Sequence, residues 1–165
     1  MTQNIFEYEI TDPGDEAEIA EDAFSAIQGD LRFDLDGKVQ LFDRVPLVMA
    51  SSSMLDQVVK VLMFDDPDQR RTVVIPDHEP VLGLQMTSEG TLEVSVVLGG
   101  EALAGARCNP LGYARAAGSF HEAMVRHMAR IEPHLLDLWH LTFPDPAASI
   151  LAERQGVRPT FQVLD

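Results

Sequence analysis

Apolar and polar residues alternate twice in the stretch from Gly29 to Phe64 and then recur at helical spacing. The first alternation ends at Leu35, the pair Asp36-Gly37 follows, and the second alternation contains Val39 and Leu41. Alternation at every second residue is typical of a strand with one face in water, and Asp-Gly between two such segments is typical of a hairpin turn. The pattern therefore predicts two antiparallel strands followed by a long helix.

The length of the hairpin loop decides which residues of the two strands face each other. A two-residue loop would set Phe33 opposite the polar Gln40, whereas a three-residue loop over residues 35–37 would set it opposite Val39. We expect the longer loop because it keeps apolar side chains together on one face. Gly37 would then supply the left-handed backbone conformation that such a loop needs.

Further strands are predicted on both sides of this hairpin. Alternation or short apolar runs predict them over residues 5–11, 72–75, 81–87 and 91–98. The last two form a second hairpin in which three apolar residues of each strand share one face. Such a face is typical of a half-buried antiparallel sheet; its residues are Leu82, Leu84, Met86, Leu92, Val94 and Val96.

Two long amphipathic helices are predicted, one after Pro46 and one over residues 113–131, because their apolar residues recur at intervals of three and four. Pro133 ends the second, and a shorter buried helix and an extended tail follow it. The glycines of residues 99–112 predict a loop. We therefore expect one α+β domain over residues 1–165, with an antiparallel sheet of about five to six strands and two long helices packed on one face.

Composition places the chain among ordinary globular proteins. It has 165 residues, of which 45% are hydrophobic, enough for a core of its own. Cys108 is the single cysteine, so neither an intramolecular disulfide nor a thiolate metal cage is possible. The chain starts with no apolar run of signal length, and no window approaches the roughly 18 apolar residues of a membrane span. We expect a cytoplasmic protein without membrane contact.

Acidic residues dominate the charge and are concentrated near the start of the chain. The formal net charge is −15, from 27 acidic and 12 basic residues. Residues 1–36 hold eleven of the acids and a single basic residue, Arg32. Such a field repels nucleic acid and anionic membranes, and it speeds encounter with a basic protein. Acidity that only keeps the protein soluble is the alternative explanation.

Three short motifs suggest catalysis, but each lacks a necessary part. His121-Glu122 begins like a zinc-protease motif, yet the second histidine is His127, six residues on, which is about 240° around a helix. The serines of residues 51–53 lack a nucleophile elbow and are small enough to let their helix pack closely. Cys108 follows Arg107, whose charge would lower a thiol pKa, although a lone cysteine is more often an inert apolar residue. No nucleotide-binding motif is present, so we expect no cofactor.

A possible metal site lies near the end of the chain. His134, Asp137 and His140 are spaced by three residues, so on a helix they would share one face. Imidazole and carboxylate together suit zinc or iron. The residues between them are apolar, and a solvated polar face of a buried helix explains the same spacing. The three residues are therefore the candidate ligands of a metal-dependent enzyme, as an alternative to a non-catalytic protein.

A strand, a turn and a helix start follow one another within residues 29–65: Gly29-Asp30-Leu31-Arg32-Phe33, Asp36-Gly37, Leu41-Phe42 and Val45-Pro46-Leu47. In these segments the chain resembles small, acidic, single-domain bacterial immunity proteins associated with polymorphic toxins. The resemblance implies a stoichiometric partner, a basic toxin or nuclease, and no catalysis.

The leading hypothesis is a non-catalytic protein-binding module that meets a basic partner through acidic side chains. The residues expected to contact the partner are Glu7, Glu9, Asp30 and Asp34, as charges that steer association and weaken with salt. Mimicry of DNA by these carboxylates is a special case. A metal-dependent enzyme is the first alternative. A homodimer or other homo-oligomer, formed through the serine-containing helix or a C-terminal strand at Phe161, is the second.

Overall fold

Seven strands form two antiparallel sheets, and four helices connect or cover them in the computed structural model, which describes residues 5–64 and 67–131. The elements are β1 (Phe6–Asp12), α1 (Glu16–Glu21), α2 (Ala23–Ala26), β2 (Gln28–Leu35), β3 (Lys38–Pro46), α3 (Leu47–Phe64), β4 (Arg71–Val73), β5 (Val81–Met86), β6 (Leu92–Leu98), β7 (Glu101–Cys108) and α4 (Pro110–Ile131). The short helix and tail predicted after Pro133 lie outside the described residues.

The expected single sheet of five to six strands is wrong. One sheet has three strands in the order β1-β2-β3, and the other has four in the order β4-β5-β6-β7. The α+β class and the two long helices are confirmed. The 18 residues of α3 separate β3 from β4, and this helix packs against β3, β4, β5 and α4. The chain therefore starts a second sheet after α3, where alternation in the sequence cannot say which strands pair.

The predicted glycine-rich loop over residues 99–112 is also wrong for most of its length. Only Gly99 and Gly100, with positive φ of 60° and 85°, make the turn. The chain then forms β7, which pairs with β6. The pairing runs from Glu101 opposite Leu98 to Cys108 opposite Leu92. Small residues are accommodated there, since Gly105 lies opposite Ser95 in this pairing.

The first hairpin has a two-residue loop, contrary to the expected three. Leu35 pairs with Lys38, so Phe33 faces Gln40, and Asp36 joins Gly37 in the left-handed region with φ of 54° and 85°. Two consecutive residues with positive φ match the right-handed twist of a tight hairpin. The reason for the error is that Phe42, not Leu41, points into the core, where it is fully buried.

The second hairpin has the predicted register. Leu82 faces Val96, Leu84 faces Val94, and Met86 faces Leu92. All six of these side chains are buried. Here the apolar residues keep one parity along both strands, so the sequence pattern determines which face meets the core.

A contiguous core of buried residues joins the two sheets to α3 and α4. On the side of the three-stranded sheet, Phe33 meets Phe6 and Phe42 with ring centroids 5.8 and 6.0 Å apart. α4 covers β1, because Phe120 stacks on Tyr8 at 4.4 Å and lies 5.9 Å from Phe6. The inner face of β1 is thus closed by aromatic contacts with α4.

α3 is long and apolar enough to cross a membrane, judged by length and composition alone, and 44% of it is buried inside the fold. This corrects the expectation that no segment approaches a membrane span. A core helix of a water-soluble protein passes the same test, and α3 packs against both sheets and α4. The apolar character of α3 is accounted for by these contacts.

Candidate protein-binding site

The four carboxylates predicted to bind a partner lie on one face of the three-stranded sheet. Glu7 pairs with Arg32 and Glu9 pairs with Asp30 across β1 and β2. Paired residues of an antiparallel ladder point to the same side. Leu31 and Phe33 are fully buried, so the residues that alternate with them in β2 point outward: Asp30, Arg32 and Asp34.

Two apolar side chains belong to the same face. Val39 lies opposite Asp34, and Leu41 lies opposite Arg32. They are 51% and 53% exposed, among the large apolar residues that the core leaves uncovered. We name this surface the acidic face; it consists of Glu7, Glu9, Asp30, Arg32, Asp34, Val39 and Leu41. The sequence interpretation missed its apolar part because the wrong register placed Val39 and Leu41 toward the core.

The four carboxylates have different local roles. The Oδ1 atom of Asp30 accepts a hydrogen bond from the N–H of Arg44 at 3.3 Å, and Oδ1 of Asp34 accepts one from the N–H of Gly37 at 3.0 Å. Arg44 has φ of 50° at the irregularity where β2 and β3 shift register, so Asp30 stabilises that bulge and Asp34 the hairpin turn.

Glu7 and Glu9 are exposed, whereas Asp30 and Asp34 are half-buried. The nearest cation to Glu7 is Arg32, whose Nη1 is 3.6 Å from Oε2 of Glu7. Both side chains of this pair are largely exposed, so its contribution to stability is small. The acidic face holds four carboxylates and one guanidinium and keeps a net negative charge. A partner could therefore engage Glu7 and Glu9 without breaking a hydrogen bond on which the fold depends.

An open cleft of about 890 Å³ adjoins one edge of the acidic face. Its lining consists of Ile5 and the first three residues of β1, the hairpin tip at Asp34 and Asp36, the end of β7 and the first half of α4. The hydroxyl of Tyr113 is buried in this wall without a hydrogen-bond partner, and its burial raises the phenol pKa above the usual range. The guanidinium of Arg107 at the rim is already engaged by Glu89 at 3.2 Å and lies 3.8 Å from Glu93.

Cys108 does not have the environment of an activated thiol. Burial raises its pKa to about 11, so the thiol is protonated at neutral pH. The charge of the adjacent Arg107, which the sequence offered as an activating group, is directed to Glu89 and Glu93 instead. The structure favours the inert role of this cysteine.

A buried serine and histidine meet between the two long helices, a contact that the sequence interpretation missed. Oγ of Ser51 in α3 donates to the carbonyl of Val48 at 2.9 Å and lies 3.1 Å from Nδ1 of His121 in α4. The hydroxyl and Nδ1 share one buried hydrogen bond, whose direction follows the tautomer of His121, and the carbonyl of Val48 is a second acceptor for the hydroxyl. Burial also lowers the pKa of His121.

Metal ligands do not converge in the part of the chain that is described. No group of three or more His, Cys, Asp or Glu side chains could hold an ion within residues 5–64 and 67–131. His121 is buried against Ser51, and His127 lies six residues along α4. The candidate ligands His134, Asp137 and His140 lie outside the described residues, so the metal hypothesis stays a prediction.

Comparison with known proteins gave no relative: no family model, no curated protein and no solved structure matches this chain.

Proposed function

We propose that this chain is a non-catalytic protein-binding module whose acidic face binds a basic partner protein in the cytoplasm. The observation that supports this most is the convergence of Glu7, Glu9, Asp30 and Asp34 on one outward sheet face with the exposed Val39 and Leu41. Charges steer association and select the partner, while exposed apolar area supplies binding energy when water is excluded.

The partner class that fits this surface is a basic toxin or nuclease, which is what the resemblance to immunity proteins implies. A protein that binds nucleic acid presents a cationic surface, and carboxylates on a rigid sheet match it in charge. Binding of this kind would be stoichiometric, and it would block the basic surface. Mimicry of the DNA backbone by the acidic face is the special case in which the blocked surface is an active site.

Catalysis is supported by fewer observations within the described residues. The thiol of Cys108 is protonated at neutral pH, and Ser51 and His121 are both buried in the contact between the two long helices. The metal-dependent alternative at His134, Asp137 and His140 is testable by metal analysis of the purified protein.

A charge-reversal experiment tests the proposal. Tagged protein captures partners from its native lysate at low and high salt, and mass spectrometry identifies them. The recovered protein is then titrated against wild type, Glu7→Lys/Glu9→Lys and a matched control, Glu79→Lys/Glu101→Lys. The control makes the same change in net charge at two exposed acids that are not part of the acidic face.

We expect the captured partner to be basic and its binding to weaken with salt. Affinity should fall at least about tenfold in Glu7→Lys/Glu9→Lys, since exchanging attraction for repulsion at two sites costs more than about 1.4 kcal/mol. The control variant should lose far less. Equal losses in the two variants would mean that overall charge, and not the acidic face, governs binding.

A second candidate function is self-association through α3. Apolar side chains at both ends of this helix are exposed, Met49 at 39%, Met63 at 49% and Phe64 at 65%. The guanidinium of Arg71 lies over the ring of Phe64, with 5.2 Å from its carbon to the centroid. Light scattering after gel filtration measures the solution mass, and a dimer that Met63→Lys converts to a monomer would support this candidate.

A further inference from the structure

β1 is an edge strand whose outward backbone groups can be assigned from one hydrogen bond. The N–H of Asp34 donates to the carbonyl of Ile5 at 2.8 Å, and Phe6 faces Phe33. This geometry makes Phe6 and Phe33 a non-hydrogen-bonded pair, so hydrogen-bonded and non-hydrogen-bonded pairs alternate from there along β1. The backbone groups of Glu7 and Glu9 therefore bond to β2. The N–H and C=O groups of Phe6, Tyr8 and Ile10 point away from β2.

These outward groups form what we name the free edge of β1. Among the described strands, β2 is the one partner of β1. The cleft beside the acidic face reaches the first residues of this edge, since residues 5–8 form one of its walls. The opposite wall on α4 contains the small residues Gly112, Ala116 and Ser119. The same wall also contains the larger Tyr113, Arg115 and Phe120, so an extended chain that bonds to Phe6 and Tyr8 would pass beside the small residues.

Charge decides which kind of chain fits. The side chains of Glu7 and Glu9 stand beside the free edge on the outward side, and Asp34 and Asp36 line the cleft near the hairpin tip. The cations of the cleft, Arg107 and Arg115, belong to its other wall on β7 and α4, and Arg107 is paired with Glu89. A second copy of β1 would set glutamates against glutamates, and like charges on neighbouring strands repel. Acidic edge strands resist self-pairing for this reason. A segment with basic residues at alternate positions would meet attraction instead.

We propose that an extended basic segment of the partner adds to the three-stranded sheet at the free edge of β1, as a fourth strand. This inference rests on the proposed function and specifies how the partner is bound. Residues of the segment opposite Glu7 and Glu9 are lysine or arginine. Residues opposite Phe6 and Tyr8 are apolar, face α4 and direct their own backbone groups toward β1.

Synthetic peptides test this geometry with a matched control. The probe is a peptide of about ten residues with alternating lysine and valine, long enough to cover a strand of ordinary length. In the proposed complex the valine N–H groups face β1 and the lysine N–H groups face away. One version is N-methylated at the valines and a second at the lysines, so the two carry the same charge and the same number of methyl groups. A glutamate-valine peptide controls for charge.

We expect the unmodified lysine peptide to bind at low salt. Methylation at the valines should weaken binding about tenfold or more, because the N–H groups that would donate to the carbonyls of Phe6 and Tyr8 are removed. Methylation at the lysines should change affinity less than about threefold, since those groups face solvent in the complex. Amide hydrogen exchange of the full chain gives a second readout. The N–H groups of Phe6, Tyr8 and Ile10 should become protected on binding, while those of Glu7 and Glu9 are protected already by β2.

Failure of this inference can be distinguished from failure of the proposed function. If both methylated peptides bind as well as the unmodified one, and the exchange of Phe6, Tyr8 and Ile10 does not change, strand addition is refuted and charge-driven binding to the acidic face stands. If the lysine peptide binds no better than the glutamate peptide at low salt, the acidic face does not select basic chains, and both proposals are refuted.

Discussion

The contact between Ser51 and His121 joins α3 to α4, and we expect Ser51→Ala to destabilise the fold through it. The substitution removes the hydroxyl that lies 3.1 Å from Nδ1 of His121, and both residues are buried. The imidazole then loses this hydrogen bond in a buried place. Removing one partner of a buried hydrogen bond costs about 1–3 kcal/mol.

Two local effects of the substitution act on α3 itself: one stabilises the helix and the other is nearly neutral. Alanine has a higher helix propensity than serine by about 0.5 kcal/mol, which stabilises α3. The bond from Ser51 to the carbonyl of Val48 is a helix back-bond, and its loss is nearly neutral because that carbonyl still belongs to the helix ladder. The net expectation is a loss of about 1–2 kcal/mol in the free energy of unfolding.

Urea unfolding followed by circular dichroism measures the difference. For a slope of about 2 kcal/mol per molar urea, the midpoint should fall by about 0.5–1 M. Ser52→Ala is the matched control, because it has the same chemistry on the next, half-buried position of α3 and should be neutral or slightly stabilising. Ser51→Ala/His121→Phe replaces both polar partners by apolar groups and should recover part of the loss.

The result that would refute the reasoning is a Ser51→Ala midpoint equal to that of Ser52→Ala. In that case the hydrogen bond between the helices contributes nothing, and the packing of α3 on α4 alone holds them together.

Three further predictions concern pH, backbone space and the thiol. Burial lowers the pKa of His121 in the folded protein, so the unfolded chain binds a proton at this residue more readily. The contribution of His121 to the free energy of unfolding is therefore complete above the unfolded pKa of about 6.5 and is lost as pH falls through the lower folded pKa. The difference in unfolding free energy between wild type and His121→Gln should therefore shrink on acidification, and a constant difference from pH 7.5 to 5 contradicts this. Gly29→Ala should destabilise the fold by at least about 3 kcal/mol or prevent folding, since a Cβ there would overlap the carbonyl of Glu9 and lie 2.7 Å from Cδ1 of Leu47. The control is Gly90→Ala, where a Cβ meets no atom within 4 Å but φ is positive, and it should cost only about 1 kcal/mol. Thermal melts measure both variants, and equal losses of stability would refute the overlap at Gly29. Cys108, with a pKa of about 11, should react slowly with a thiol reagent at pH 8 and at the free-thiol rate in urea; equal rates in the two conditions would mean that the thiol is not protected.

Local periodicity predicted the elements well wherever one parity of residues is apolar throughout. The hairpin of β5 and β6 has the predicted register because Leu82, Leu84 and Met86 meet three apolar residues of β6 without interruption. The two long helices were predicted for the same reason, from apolar residues at intervals of three and four. In both cases the information lies within about ten neighbouring residues, where backbone geometry sets the period.

The first hairpin shows where a local pattern misleads. β3 has apolar residues of both parities, with Val39, Leu41 and Val45 at odd positions and Phe42 at an even one. The structure buries Phe42 and Val45, and it does so through a bulge opposite Asp30 where Arg44 adopts a positive φ. The parity of the strand changes at that bulge. No alternation rule detects it, since the bulge is stabilised by Asp30 from the other strand.

The sequence by itself determined the α+β class, most of the helices and strands, and the concentration of acidic residues near the first hairpin. It also determined that Glu7, Glu9, Asp30 and Asp34 would sit on the outward side of their strands, because they alternate there with the apolar residues. These are consequences of composition and of local periods.

Only the tertiary structure decided the division into two sheets, the exposed Val39 and Leu41 in the acidic face, the cleft along the free edge of β1 and the contact of Ser51 with His121. Each depends on groups far apart in the chain: Ser51 and His121 are 70 residues apart. Such contacts form because a few buried surfaces must be covered together, and the free energy of covering them is shared among elements that no local pattern connects.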